Sequence, residues 1–598
     1  MVRDGNSNGI QTRHMSQGNA APSEPRGLNG LGARLASLLS PGAVQVPGFV
    51  GQPEPKTIGS HARGRQLLAG NFQFAGHLVE APDRLPWDIA APDDAFAGAL
   101  HGFAWLDDIA AVPKPAAREC AQSWTYEWIR RYGGGRGPGW APNLAGRRLL
   151  RWINHSAMLL QGRDPKERAA YFRSLATQTR FVARRWKRAQ PGLPRIEALT
   201  GLICAGLALT GMSRLVAPAR LALARECQAR IDPGGGIATR NPEELLEVFT
   251  LLAWAAAALG EAGRSPDRAH LDAILRIAPV LRALRHADGG LARFHGGGRG
   301  LEGRLDQALA AAGVRTPPPP GLSMGFARLS AGRTSVIVDA ASPPKGAASA
   351  NAHASTLAFE LTSGRRPLIV NCGSGAVFGG EWHRAGRATP SHSTLCLAGL
   401  SSSRLGAEGL WGRRRRDQLA DIPRVIRYQQ APTEDGTLFV AAHDGYAVTH
   451  GLTHVRQLDL GLDGRQITGE DTLGAMTAGD RRRLDGALRR AQGGGVRFDI
   501  RFHLHPDVDA TLDLGGTAVS MALKSGEIWI FRHDGTAKLD LEPSVYLEKG
   551  RLKPQVSRQI VLSGTVADYA VQIGWTLAKA QDTPQAVRDV AREEIFED

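Results

Sequence analysis

Cysteine is scarce, with five in 598 residues at Cys120, Cys204, Cys227, Cys372 and Cys396, and no two stand in a CxxC pair. That excludes a disulfide scaffold and a thiolate zinc site, and leaves five buried thiols as the expectation. Long apolar runs are missing too. The longest, Leu199 to Met212, is broken by Gly, Ala and Thr, whereas a bilayer span needs about 20 apolar residues. A soluble chain without a membrane span is expected. The first forty residues lack a compact apolar stretch behind a basic start, so they do not form the usual secretory signal and are read, through residue 60, as a flexible tail. Lysine is sparse beside arginine, as in Arg147-Arg148 and Arg413 to Arg416. The net charge is nonetheless +16, a positive potential that attracts acidic partners. No reading helix, RNA-binding sheet motif or zinc finger accompanies it, so nucleic acid is not expected as a partner.

What is present divides the chain in two. From about Arg63 to Arg293 apolar residues recur at helical spacing, for example Leu271, Ile274, Leu275 and Leu281 on one face. Asn241 is placed to cap a helix, with Pro242 at its first position and Glu243 and Glu244 at the positive end of its dipole, running to about Gly260. Two similar loops, Asp232-Pro233-Gly234-Gly235-Gly236 and Asp288-Gly289-Gly290, suggest a repeated helix-hairpin unit. Trp124, Tyr126, Trp128, Tyr132 and Trp140 are read as core, with sugar stacking as the alternative. Pro317 to Pro320 cannot sit in a helix and mark the boundary. Beyond them the period becomes two, at Ser335 to Asp339, Thr356 to Leu361, and Val496, Phe498, Ile500, Phe502 and Leu504. A large antiparallel β-sandwich is expected, with no helix until Pro584, where the tail through Arg592 looks helical.

Three elements follow one another in this second half: Asn351-Ala352-His353-Ala354-Ser355 before a strand, Pro367 to Gly373 ending in Asn-Cys-Gly, and Arg387-Ala388-Thr389-Pro390-Ser391-His392. Upstream stands Trp152-Ile153-Asn154-His155. In this order they resemble the heparinase II/III family of polysaccharide lyases. The resemblance implies a multidomain α and β chain: a tail over residues 1–60, an N-terminal α/α toroid over 61–315, an antiparallel β-sandwich over 321–582, and a C-terminal helix over 583–598. It also implies catalytic roles for Asn154, His155, His353, Arg387 and His392, and substrate binding by Asn351, Arg240 and Trp152. A zinc ion on His353, His392 and Asn371 is implied as a possible cofactor.

The departures from the family pattern are specific. Asn351 stands where members carry a first histidine, Ser355 where they carry an Asp, and Asn371 where an Asp helps hold zinc. After Gly234-Gly235-Gly236 the chain gives Thr239-Arg240-Asn241-Pro242, without the tyrosine that serves as base. Eliminating across a uronate requires neutralising its carboxylate, removing the neighbouring proton and protonating the leaving oxygen. Asn154 is expected to bind the carboxylate, His155 to move the proton, and Arg387 to pair with the sugar's charge. The resulting expectation is a lyase acting on an acidic, uronate-containing polysaccharide. The alternative is a non-catalytic glycan-binding or envelope-assembly protein on the same fold. Glu243 and Glu244 read as helix-start residues rather than a hydrolase pair. His443-Asp444-Gly445-Tyr446 and His503-Leu504-His505 are minor candidates; His503 and His505 share one strand face, which can be a solvent face. The resemblance implies the cell envelope or periplasm; the missing export signal makes the cytoplasm the alternative.

Overall fold

The computed structural model describes residues 46–397, 399–406, 418–492 and 494–580. The Arg413 to Arg416 run, the expected C-terminal helix and residues 1–45 of the expected tail lie outside them. Residues 46–60, read as tail, instead run along the helical half as a strap. Phe49 bridges to Leu209 and sets its ring edge-on to Phe172 at 5.0 Å. The Val50 amide donates to Ala208 O at 2.8 Å. Ser60 then caps the first described helix, His61–Leu68, by accepting from the Arg63 amide.

The helical half, which also holds a hairpin of strands Asn71–Phe74 and His77–Glu80, extends to Ala312, the end of helix Arg304–Ala312, and the first strand of the large sheets begins at Phe326. Helix Pro142–Asn154 lies against helix Leu193–Ala208, which lies in turn against Pro242–Glu261. The last starts as expected, with Asn241 Oδ1 accepting from the amides of Glu243 and Glu244 at 3.0 and 3.1 Å. On helix Arg268–Ala283 the stripe is one position off the expected one. His270, Ala273, Ile274, Ile277 and Leu281 are buried, while Leu271 and Leu275 are 38% and 48% exposed. A step of about 100° per residue puts 270, 274, 277 and 281 on one side and turns 271 and 275 off it. The two glycine loops are alike in structure. Asp232 N–H donates to Gly236 O at 3.0 Å, His286 N–H donates to Gly290 O at 2.8 Å, and Gly235 and Gly289 both adopt left-handed φ near 83° and 85°. The early aromatic cluster is core: Trp128 is fully buried beneath the Arg148 guanidinium, 4.0 Å from its ring centroid.

The second half holds two eight-stranded antiparallel sheets. One runs Val425–Pro432, Gly436–Tyr446, Leu452–Gly461, Gln466–Gly474, Ala570–Lys579, Ile528–His533, Ala518–Ala522, Asp509–Asp513. The other runs Lys538–Tyr546, Gln555–Val566, Val496–Leu504, Arg366–Val370, Phe359–Ser363, Thr334–Asp339, Phe326–Ala331, with Leu395–Leu397 joined to the Val496 strand. Alternate residues Val496, Phe498, Ile500, Phe502 and Leu504 all point inward and are buried. The sheets share one apolar core, in which Phe359 of one stacks on Trp575 of the other at 5.9 Å. Gly469 is needed beneath that indole, since a Cβ there would lie 2.0 Å from it. Besides the four-residue helix Ala447–His450, two longer helices interrupt the expected run of strands, Gly380–Arg387 and Ala478–Arg490. The second starts at a Thr477/Asp480 capping box, but only Leu484 and Ala487 among its apolar residues are buried, too narrow a stripe to stand out from the arginines. The 356–361 segment also begins later than expected. Leu357 turns through φ 63° and the strand starts at Phe359.

The halves are stitched together. The apolar core of the helices continues into Phe326, Ile337 and Ala358 of the sheets. Arg240, at φ 49°, spends all its donors across the joint: Nε on Met324 O, Nη1 on Ala341 O and Ser342 O, and Nη2 on Gly325 O and on Asp339 Oδ1 at 2.6 Å.

Candidate functional site

A cleft of about 430 Å³ opens between the two halves. Its helical wall is the first turns of Pro242–Glu261, bearing Asn241, Glu243, Glu244 and Glu247, with Arg304 beside them; Asn351, Ser374 and Lys549 come from the other half. The charges are matched in pairs. Glu243 binds Lys549 and also accepts from the Gly298 amide at 2.7 Å. Glu247 binds Arg304 and stands 3.9 Å from Arg151. Glu244 has no cation within ion-pairing distance among the described residues; burial pushes its carboxyl above the ordinary range, against a hydrogen bond from Thr239 and the charge of Lys549, with the negative Glu197 adding to the rise. Sequence reasoning saw Glu243 and Glu244 as helix-start residues, which they are; the same first turn also faces the cleft. Lys549 and Arg304 carried no sequence signal.

The residues expected to act together are distributed. Of them only Asn351 lines this cleft. Asn154 ends helix Pro142–Asn154 and lines a separate cavity of about 560 Å³, between that helix, Trp254 and strap residues 50–56. His155 is buried, its Nε2 2.8 Å from Asp107 Oδ1 and 3.1 Å from Thr57 Oγ1 of the strap. Asp107 also accepts from Arg151 Nε at 3.2 Å. Burial pushes this carboxyl up, but Arg151 and His155 outweigh it and hold the carboxyl below its ordinary value. Trp152, expected against substrate, is core: fully buried and stacked on Tyr171 at 5.6 Å, because it lies on the inward stripe of its helix. Arg240, expected against substrate, is the joint described above.

His353 and His392 do meet, Nδ1 to Nε2 at 2.9 Å. The His353 amide donates to Nδ1 of His295 at 3.2 Å, and His295 lies 3.4 Å from Asp339, which also accepts from Ser355 Oγ at 2.7 Å. Arg387, expected to grip the sugar's charge, is 2% exposed, with Nε on Ala352 O at 2.7 Å and Nη2 on Ser349 O at 2.8 Å. These two bonds tie it to the backbone of the turn that carries His353. Asn371 is fully buried, its Nδ2 on Glu360 at 3.1 Å and its Oδ1 accepting from the Ser393 amide at 3.0 Å. As arranged, these side chains do not fit zinc. The two imidazoles bond each other, His392 Nδ1 lies 2.9 Å from Ala388 O, and the amide is spent. Among the described residues no group of three His, Cys, Asp or Glu side chains is placed to hold a metal. His503 is likewise buried, between Ser544 Oγ at 2.8 Å and Pro390 O at 2.9 Å, and His443 lies buried against His454. His505 is buried too, so the face that His503 and His505 were expected to share is not a solvent face.

These buried imidazoles predict acid sensitivity. Burial lowers His392 from 6.5 to about 3 and His503 from 6.5 to about 4. Below pH 6.5 the unfolded chain binds protons that the folded chain refuses, so stability falls as pH drops from about 6.5 toward 4. Urea midpoints measured across that window should decline steadily; a flat profile would contradict the buried neutral state of these rings.

Comparison with known proteins agrees with this architecture. Residues 313–576 match the model for "Heparinase II/III-like, C-terminal". Over 532 residues the chain is 31% identical to FtsZ-localized protein C of Caulobacter vibrioides (strain NA1000 / CB15N), covering 87% of this chain and 88% of that protein. Among solved structures, heparinase III superposes with TM-score 0.63 at 13% identity, over 92% of this chain and 89% of that one. A mutant of the heparan sulfate lyase HepC from Pedobacter heparinus gives 0.54 at 14% identity, over 92% and 88%. No described helix is long and apolar enough to cross a membrane. The chain belongs to the heparinase II/III-like family.

Proposed function

We propose that this chain is a polysaccharide-binding protein that keeps the two-part cleft of the lyases, helices as an α/α toroid and sheets as a β-sandwich, but does not carry out β-elimination. The observation that supports this most is the pairing of charge in the cleft. Both cations that line it, Lys549 and Arg304, are already neutralised by Glu243 and Glu247. A uronate carboxylate placed there would keep its full charge, and its α-proton would stay too weakly acidic to remove. Arg387 and His155 are engaged elsewhere, and neither Tyr nor His is among the described residues lining the cleft. The chain's overall positive charge still favours an acidic polysaccharide as the partner.

The name of the Caulobacter relative motivates the second part of the reading, that this protein gathers where FtsZ does and serves envelope assembly there. Heparan, chondroitin, hyaluronan and alginate are the test panel. Binding without growth of the ultraviolet absorbance of unsaturated uronate products is the expected result. Growth of that absorbance, lost in a Glu244→Gln variant, would establish a lyase that uses Glu244, the carboxylate without a cation among the described lining residues, as base. Co-sedimentation with FtsZ polymers tests the placement; a protein that stays in the supernatant would remove it.

A further inference from the structure

From the imbalance of charge in the cleft we infer that the sugar it accepts carries a free amine. On this reading the partner is an acidic polysaccharide whose hexosamine is not N-acylated, and the inference rests on the glycan-binding role proposed above. Among the described residues the cleft holds three carboxylates against two cations: Glu243 takes Lys549, Glu247 takes Arg304, and Glu244 is left without one. Behind it, Glu197 sits on the helix whose first residue, Leu193, lines the cleft. Glu197 is 3% exposed, gives Oε1 to Arg147, and leaves Oε2 buried without a partner. A half-buried carboxylate that accepts from Thr239 but has no described cation of its own, with a second negative charge behind it, is relieved by a cation supplied from outside.

The whole chain is basic, so a polyanion is drawn to its surface while its carboxylates find no unpaired cation among the described residues of the cleft. An ammonium satisfies Glu244, with Asn241 and Asn351 placed at the same cleft to hydrogen-bond sugar hydroxyls. An N-acetyl group at that position brings no charge and leaves Glu244 desolvated, so the discrimination comes from one group on the sugar.

The experiment uses matched polymers that differ only in N-acetylation: fully N-acetylated hyaluronan oligomers against the same oligomers after chemical de-N-acetylation, titrated calorimetrically into the full chain. The de-N-acetylated oligomers are expected to bind about tenfold more tightly. Glu244→Gln should bring the two affinities together while its melting curve overlays that of the parent. Equal affinities in the parent protein, or a preference that survives Glu244→Gln, overturn the inference and leave glycan binding intact. Absence of binding to either polymer overturns the inference, and the glycan-binding reading falls with it when heparan, chondroitin and alginate also fail to bind. The comparison in the parent protein needs no variant, so it decides even if the substitution harms folding.

Discussion

Replacing Asp471 by Asn will lower the stability of the chain by about 3–5 kcal/mol, the range for breaking a buried ion pair from one side. Asp471 is fully buried on strand Gln466–Gly474 and serves four donors. They are His454 Nε2 at 2.7 Å, Arg456 Nε at 2.8 Å and Nη2 at 3.0 Å, and Trp575 Nε1 at 3.0 Å. Arg456 is just as buried, and its remaining donor group reaches across to Leu357 O and Ser393 O, both at 2.8 Å. Those two carbonyls flank the turn and the stretch that carry His353 and His392. An Asn keeps the shape but removes the counter-charge, so a guanidinium is stranded in the core between the sheets. Urea unfolding followed by tryptophan fluorescence reads the loss, and a midpoint change worth less than about 1 kcal/mol would show that the pair contributes little beyond its hydrogen bonds. A double-mutant cycle with Arg456→Met should show strong coupling, because the second change removes the stranded charge.

Replacing Arg240 by Ala should cost a similar amount, about 3–5 kcal/mol, for a related reason. Asp339, fully buried, would lose its strongest partner and keep only His295 and Ser355. Four carbonyls, of Met324, Gly325, Ala341 and Ser342, would lose their donor at the same time. Arg240→Lys should recover little, since an ammonium has three donors and no planar fork to reach both ends of this arc. Thermal melting and urea midpoints measure the effect. A variant that melts with the parent but binds glycan poorly would return Arg240 to the substrate-binding role that its position after the glycine loop suggested.

That contrast shows what the sequence could reveal. Helix and strand are local, so Asn241 announced its cap and the Val496 to Leu504 alternation announced its inward face. Where a long polar side chain ends up is not local. Arg387 stands in the right motif for gripping an anion, yet its fork closes on the carbonyls of Ser349 and Ala352, more than thirty positions earlier. Asp107, which binds His155, has no motif around it and became visible only through packing. The ordered motifs therefore identified the family, while the pairing of Glu243 with Lys549 and Glu247 with Arg304 joins residues far apart in the chain and could be read only once folded. Helix Ala478–Arg490 was missed because its buried stripe is narrow and its capping box is polar on both sides.

The joint built on Arg240 has a consequence for how a ligand arrives. A core that runs unbroken from the helices into Phe326 and Ile337, with a saturated guanidinium pinned across it, leaves no hinge between the cleft's two walls. The cleft is thus preorganised, and under the proposed glycan-binding role a sugar would have no domain closure to drive on entry. Its capture should be a single bimolecular step in stopped-flow traces, linear in oligomer concentration without a plateau, and the radius of gyration in solution should be the same with the sugar bound as without it.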